Sequence, residues 1–229
     1  MNPILELKHL VLTTPDRTRE LCTDINLTVY AGERLAVLGE EGSGKGVLLR
    51  VMAGLTVPIR GEILFKGRPL RIPGGGDRIA PIGVLFRFPD PYFLTSTVRE
   101  EIVLAPVGQG LTGTALQTRV AWAMEVAGVA TAWEYRSLLQ LSDAERCRVA
   151  WAAVLAAHPG VVLADEPGSL LGEKGEMVLA EQLLQVCREL NMGMITLTSR
   201  TERAQRFGEK VLRLEKGRVI PFHEWEGGI

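Results

Sequence analysis

The sequence predicts an α/β fold in which a mainly parallel sheet carries an antiparallel β portion and a helical insertion. Three observations lead there. Short β-rich runs alternate with stretches of helical periodicity, the pattern of strands joined by covering helices. A glycine-rich loop, Gly39-Glu40-Glu41-Gly42-Ser43-Gly44-Lys45-Gly46, sits between a strand-like run at 34–38 and an apolar-periodic stretch at 47–55. That strand–loop–helix context is the one a phosphate-binding P-loop requires, so the expected architecture is of the P-loop NTPase type. Between Pro89 and Pro159 the strand signal disappears, and apolar residues at helical spacing replace it.

Taken in order, the β-rich runs fall at 4–10, 25–29, 34–38, 62–65, 82–86, 161–164, 194–198, 211–214 and 218–220. The earliest of them are expected to pair antiparallel. Helical periodicity covers 47–55, 114–127 and 142–157, with Gly128 closing the second stretch. The organisation implied is one domain over 1–229 with a helical subdomain at 89–159 inside it. Pro73-Gly74-Gly75-Gly76-Asp77 reads as a surface turn, because no helix signal follows to make an anion site of it. The run from Arg200 to Arg206 reads as a solvated helix face, with Arg200 able to point at the phosphate site. Trp122, Trp133 and Trp151 read as packing residues of the core or of the helical insertion.

Composition narrows the function only by exclusion. With 229 residues the chain is long enough for one α/β unit with a sizeable core. A formal net charge of -1 offers no pronounced basic face of the kind duplex binding needs, so nucleic acid is not expected as a partner. No stretch approaches the roughly 20 apolar residues of a membrane span. The opening Met-Asn-Pro-Ile-Leu-Glu lacks the basic and apolar regions of a secretion signal, which points to the cytosol. Cys22, Cys147 and Cys187 are odd in number and widely spaced, fitting neither a disulfide framework nor a metal knuckle. His9, His158 and His223 stand apart from any ligand-like spacing.

The chemistry expected of the loop follows from its residue types. Gly39, Gly42 and Gly44 let the backbone curl so that successive N–H groups, with that of Ser43 among them, face a phosphate chain, while Lys45 adds a point charge. At the last position the Ser or Thr that would ligate Mg²⁺ is replaced by Gly46. A second landmark is the apolar run Val161-Val162-Leu163-Ala164 that ends in Asp165-Glu166-Pro167. Read as a Walker B segment, it makes Asp165 the Mg²⁺ ligand, directly or through water, and Glu166 the general base for an attacking water. The plainer reading is a strand that ends in a charged turn.

With these landmarks in order, the chain resembles the ATP-binding subunits of ABC transporters from about Leu5 to Ile220, in particular those of energy-coupling-factor and cobalt-type importers. The family's pattern around the Q-loop is echoed by Val84-Leu85-Phe86-Arg87-Phe88-Pro89-Asp90-Pro91, followed by Thr97-Val98-Arg99-Glu100-Glu101-Ile102. The family's LSGGQ signature falls on Leu141-Ser142-Asp143-Ala144-Glu145, ahead of Arg148-Val149-Ala150. The resemblance implies an ATP-binding core, a helical subdomain carrying the signature, and a head-to-tail dimer that sandwiches two nucleotides.

Departures from the family pattern are as informative as the matches. Thr14 stands where an aromatic residue usually stacks on adenine, Arg87 replaces the Q-loop glutamine, and Gly172 the D-loop aspartate. Ser199 replaces the switch histidine that would hold the terminal phosphate, and Asp143, Ala144 and Glu145 replace the two glycines and the glutamine of the signature. The alignment puts Arg87 near Asp165 and Glu166, where its guanidinium either replaces part of the missing cation or points into solvent. What the resemblance implies is an ATP-binding subunit, cytoplasmic and peripheral on the inner face of the cell membrane. Its Mg²⁺ binding and hydrolysis are expected to be weakened or lost. Its partners would be an integral-membrane transporter subunit, with Tyr92, Phe93 and Leu94 either docking it or packing internally, and a second ATPase in a homodimer or heterodimer. The alternatives are a non-catalytic pseudo-ATPase that supports or regulates a transporter complex, and a soluble ABC protein without a membrane partner.

Overall fold

Alternating apolar residues build the first two strands: Leu5, Leu7, Leu10 and Leu12 are buried along β1 (Pro3–Thr13), and Cys22, Ile25, Leu27 and Val29 along β2 (Glu20–Tyr30). The computed structural model describes residues 2–14, 16–70 and 82–222, so the run 73–77 and His223 lie outside the described residues. The chain divides into two units, Met1–Ala80 with Gly193–Ile229, and Pro81–Met192.

In the first unit β1 and β2 pair antiparallel as expected, β4 (Arg60–Phe65) adds to the other side of β1, and the short β5 (Arg68–Pro69) lies outside it. Both early strands are longer than predicted. His9 and Asp24 take left-handed backbone, at φ 50° and 52°, which breaks the period of two without ending the pairing. The register shifts between Leu7 and Leu10, and a 2.7 Å contact joins His9 Nδ1 to the Asp24 carboxylate across the kink. Gly61, at φ 87°, fits against it, since a Cβ there would meet the Lys8 carbonyl oxygen at 2.4 Å.

The parallel part of this unit is β3 (Arg34–Leu38), flanked by β8 (Gly193–Thr198) and β9 (Lys210–Glu215), with β10 (Arg218–Pro221) antiparallel on β9. Every residue of β8 and four of the five in β3 are buried, the near-continuous apolar pattern of strands covered on both faces. Among the described residues, the helices α1 (Lys45–Met52) and α6 (Thr201–Phe207) belong to this unit. At 200–206 the expected solvated face is formed by Arg200, Glu202, Gln205 and Arg206, which are exposed, while α6 also buries Arg203, Ala204 and Phe207, with Ala204 packed with Ala36 and Leu38 of β3.

The second unit holds the parallel pair β6 (Ile82–Leu85) and β7 (Val161–Asp165) with four helices, α2 (Val98–Gly108), α3 (Gly113–Ala127), α4 (Asp143–Ala156) and α5 (Gly172–Glu189). Among the described residues between β6 and β7, strand-type pairing is limited to a single bridge from Thr97 to Ser137. Gly128 closes α3 in the left-handed conformation at φ 65°, as its place in the sequence predicts. α2 and α5 carry no predicted helix. Pro106 interrupts the helix signal of the first, and Gly172 and Gly175 weaken the start of the second. Trp151 is 1% exposed in α4, while Trp122 of α3 meets His158 edge-on at 5.2 Å. No helix of the described residues is long and apolar enough to cross a membrane.

Candidate functional site

The first unit shapes a cradle from the loop between β3 and α1. The Gly39 amide donates to the Thr198 carbonyl at 2.9 Å, which ties the loop's entry to the end of β8. Ser199 follows directly, and the Arg200 amide donates to Thr198 Oγ1 at 3.2 Å, so Ser199 is brought beside the loop. Gly42 and Gly44 adopt φ 79° and 101°, a region that side chains rarely enter. Space is closed at Gly44 too, where a Cβ would lie 3.1 Å from Cys22 Sγ. Burial pushes that thiol up to about 11, so Cys22 packs as a small apolar group.

Lys45 is buried, and its ammonium donates to the carbonyls of Gly39 and Glu40 at 2.6 and 2.8 Å, inside the curl of the loop. α1 starts on Gly44 with no side-chain cap and no acid in its first turn. Its orphan N–H groups and positive dipole end therefore suit an anion. Ser43 Oγ is a buried hydroxyl without a hydrogen-bond partner. These residues fit a phosphate chain. Toward Mg²⁺, Gly46 offers open space but no hydroxyl.

In the second unit β7 ends on Asp165, and the chain turns sharply at Glu166, which is 6% exposed and left-handed at φ 46°. The turn closes through the Ser169 amide to the Glu166 carbonyl at 3.1 Å, with Gly168 at φ 77° packed against Glu176. Arg87 and Glu166 line one cavity of about 20 Å³, together with Phe86, Cys147, Trp151 and Ser169. Burial, aided by Asp143 and Asp90, raises the Cys147 thiol to about 11, which leaves it un-ionised at neutral pH.

The segment aligned with the signature is the start of α4, and it is closed by its own side chains. Ser142 Oγ accepts from the Glu145 amide at 3.3 Å, while the Ser142 amide and hydroxyl donate to Glu145 Oε2 at 2.7 and 2.8 Å. This is a capping box. The Ser142 amide above all, then its hydroxyl, holds the Glu145 carboxyl below its ordinary range. Arg146 pairs with Asp143 and with Asp90, the latter at 2.8 Å, and donates to the Leu141 carbonyl at 2.7 Å. Sequence reading treated Glu145 as a lost glutamine, although the spacing Ser-x-x-Glu was the legible signal of a cap.

A further polar residue and an aromatic pair lie in the neighbouring loop. Buried Glu101 accepts from the amides of Leu94 and Thr95 at 3.0 Å each and from the Thr95 hydroxyl at 2.8 Å. Phe86 and Tyr92 stack with ring centres 3.5 Å apart. No sequence signal marks Glu101, because its partners are backbone amides of a loop. Thr14, at the aligned adenine position, has its hydroxyl engaged by Asp16 in the turn after β1.

Residues 22–169 match the family model described as "ABC transporter". The chain belongs to this ABC transporter family. It is 32% identical over 96% of its length to the energy-coupling factor transporter ATP-binding protein EcfA1 of Latilactobacillus sakei, covering 78% of that protein. It is 33% identical over 95% of its length to EcfA of Methanothermobacter thermautotrophicus, covering 70%. Among solved structures, cbiO1 of Clostridium perfringens, part of the ABC transporter complex cbiONQ, superposes with a TM-score of 0.80 at 27% identity, over 96% of this chain and 88% of that one. The predicted α/β architecture with parallel and antiparallel strands is therefore the ABC ATPase fold. Other ABC relatives are longer, the chain spanning 66% of a putative ATP-binding protein of Methanosarcina acetivorans.

Proposed function

We propose that this chain is the nucleotide-binding subunit of an importer of the energy-coupling-factor or cobalt type, and that it binds ATP while hydrolysing it slowly or not at all. The observation that carries the reading is a contrast between two helix starts. α1 begins uncapped and free of acids beside Lys45, whereas α4 begins inside its own Ser142–Glu145 box with Asp143 adjacent. An anion is attracted to the first and repelled at the second. By the family resemblance, the first start would take this chain's own nucleotide and the second the partner's. A homodimer would then have two weak sites, and a heterodimer no complete one.

In this reading Gly39, Gly42, Ser43 and Gly44 supply backbone N–H groups to the phosphates, Lys45 supplies a point charge, and Gly46 withholds the usual metal hydroxyl. Mg²⁺, when bound, would bridge phosphate oxygens and neutralise developing charge, with Asp165 as its protein ligand. Glu166 would be the base for whatever turnover remains, and a freely poised base contributes about 10²–10⁴-fold by itself. Ser199 and Arg87 occupy positions where a histidine and a glutamine would assist. An integral-membrane subunit is the proposed partner at the loop after β6. Leu94 and Leu139 are 77% and 90% exposed there, and the Thr97–Ser137 bridge brings their segments together. Such a partner would hold the chain peripherally on the inner face of the membrane. The closed start of α4 equally favours a second reading, a pseudo-ATPase that supports the complex without turnover.

Titration calorimetry with ATP tests the proposal. Weak binding that changes little with Mg²⁺ and weakens further in Lys45→Ala is expected, and tight binding with a strict Mg²⁺ requirement would overturn it. Turnover that is robust in the parent and abolished in Glu166→Gln would remove the slow-hydrolysis part. Purification from native membranes should bring an integral subunit with it, and recovery of the chain alone would count against the transporter assignment.

A further inference from the structure

We propose that Arg87 is the resident counter-ion of Glu166, holding that carboxylate in an ion pair so that it is locked rather than poised as a base. The catalytic consequence rests on the nucleotide-binding reading above, but the pairing does not. β6 and β7 run parallel in a register that sets Leu85 beside Ala164. Two residues beyond each partner the chain reaches Arg87 and Glu166, which therefore leave neighbouring strand ends at the same level. Both line the same small cavity, and Arg87 is the one cation among the described residues that do.

The burial of the two side chains is complementary. Glu166 is buried, and a carboxylate out of water keeps its charge only when a cation or hydrogen bonds compensate it. Arg87 is exposed at the mouth, with its guanidinium carbon 5.3 Å from the centre of the Phe88 ring. Contact with that ring restrains the guanidinium. The cavity, about 20 Å³, has room for about one water. A guanidinium needs no such room, because it engages the carboxylate with its planar fork from the entrance. The lone pairs that a general base would turn toward water are then occupied.

The left-handed backbone of Glu166 belongs to the same device. A buried non-glycine residue at φ 46° persists only where its surroundings hold it, and an ion pair across two parallel strand ends is such a restraint.

A double-mutant cycle on the full, nucleotide-free chain tests the pairing through Arg87→Met, Glu166→Gln and the double variant, each followed by chemical unfolding. Arg87→Met should raise the unfolding equilibrium constant about tenfold, the range between an exposed pair and a buried one. In the Glu166→Gln background the same change should do much less. Millimolar Mg²⁺ should stabilise Arg87→Met more than the parent, by supplying the cation that has been removed. Equal effects of Arg87→Met in both backgrounds would overturn the pairing, and equal stabilisation of parent and variant by Mg²⁺ would overturn the counter-ion role. Since no nucleotide is present, failure of the cycle leaves the ATP-binding reading intact, and failure of ATP binding leaves the cycle standing.

Discussion

Removing the Ser142 hydroxyl should destabilise the start of α4 by a definable amount. Two of the three bonds in the capping box involve that hydroxyl: it accepts from the Glu145 amide at 3.3 Å and donates to the Glu145 carboxylate at 2.8 Å. The third, from the Ser142 amide to the carboxylate at 2.7 Å, survives substitution. Loss of a Ser N-cap to Ala costs about 1 kcal/mol. For a chain of this size that corresponds to a fall of about 2–4 °C in melting temperature. Ser142→Ala, followed by thermal circular dichroism and by amide hydrogen exchange at Glu145, should show both the drop and faster local exchange. Glu145→Gln separates the charge from the cap. The carboxyl of Glu145 is held below its ordinary 4.5, so its contribution is complete above that value and fades as pH falls through the lower folded-state pKa. Gln can still cap but cannot titrate, so the variant should lack this acid-side loss. An unchanged melting temperature and unchanged Glu145 exchange in Ser142→Ala would refute the claim that α4 is closed by its own side chains.

Gly46→Ser should cost no stability, because no atom lies within 4 Å of a Cβ at that position. Calorimetry should show nucleotide affinity in the variant becoming more dependent on Mg²⁺, as a metal-binding hydroxyl is restored. Single restorations, Gly46→Ser, Arg87→Gln or Ser199→His, should each leave phosphate release near the parent rate, with a combined variant rising more than the product of the singles. Gly168→Ala should lower the melting temperature, since alanine would be strained at φ 77° and its Cβ would meet Glu176 at 2.9–3.1 Å. An unchanged melting temperature would mean the turn after Glu166 adopts another backbone.

The limits of sequence reading are visible at particular residues. The strand run at 34–38 matches β3 at both ends, because a continuous apolar run followed at once by a glycine-rich loop carries both its burial and its stop signal locally. Gly128 is equally local, a left-handed C-cap that glycine alone accepts without strain. By contrast, β1 and β2 outrun their predicted ends, because pairing across the kink at His9 and Asp24 outweighs the broken alternation. The helix from Gly172 was missed for the opposite reason: packing of Leu179, Leu183 and Val186 stabilises it despite two glycines at its start.

The expectation of a phosphate cradle was readable in the sequence itself, since it rests on glycines and a lysine within eight consecutive residues, Gly39 to Gly46. The same is true of the residues at 87, 143–145 and 199, whose identities need no coordinates. What surrounds those residues was decided only in three dimensions. Glu145 turns inward as a cap because a helix begins at Asp143, and Arg87 comes level with Glu166 because two strands far apart in the chain pair in one parallel register. Neighbour chemistry can be read along a chain, whereas register and burial arise from contacts between distant segments, and these set whether a charge is solvated, capped or paired.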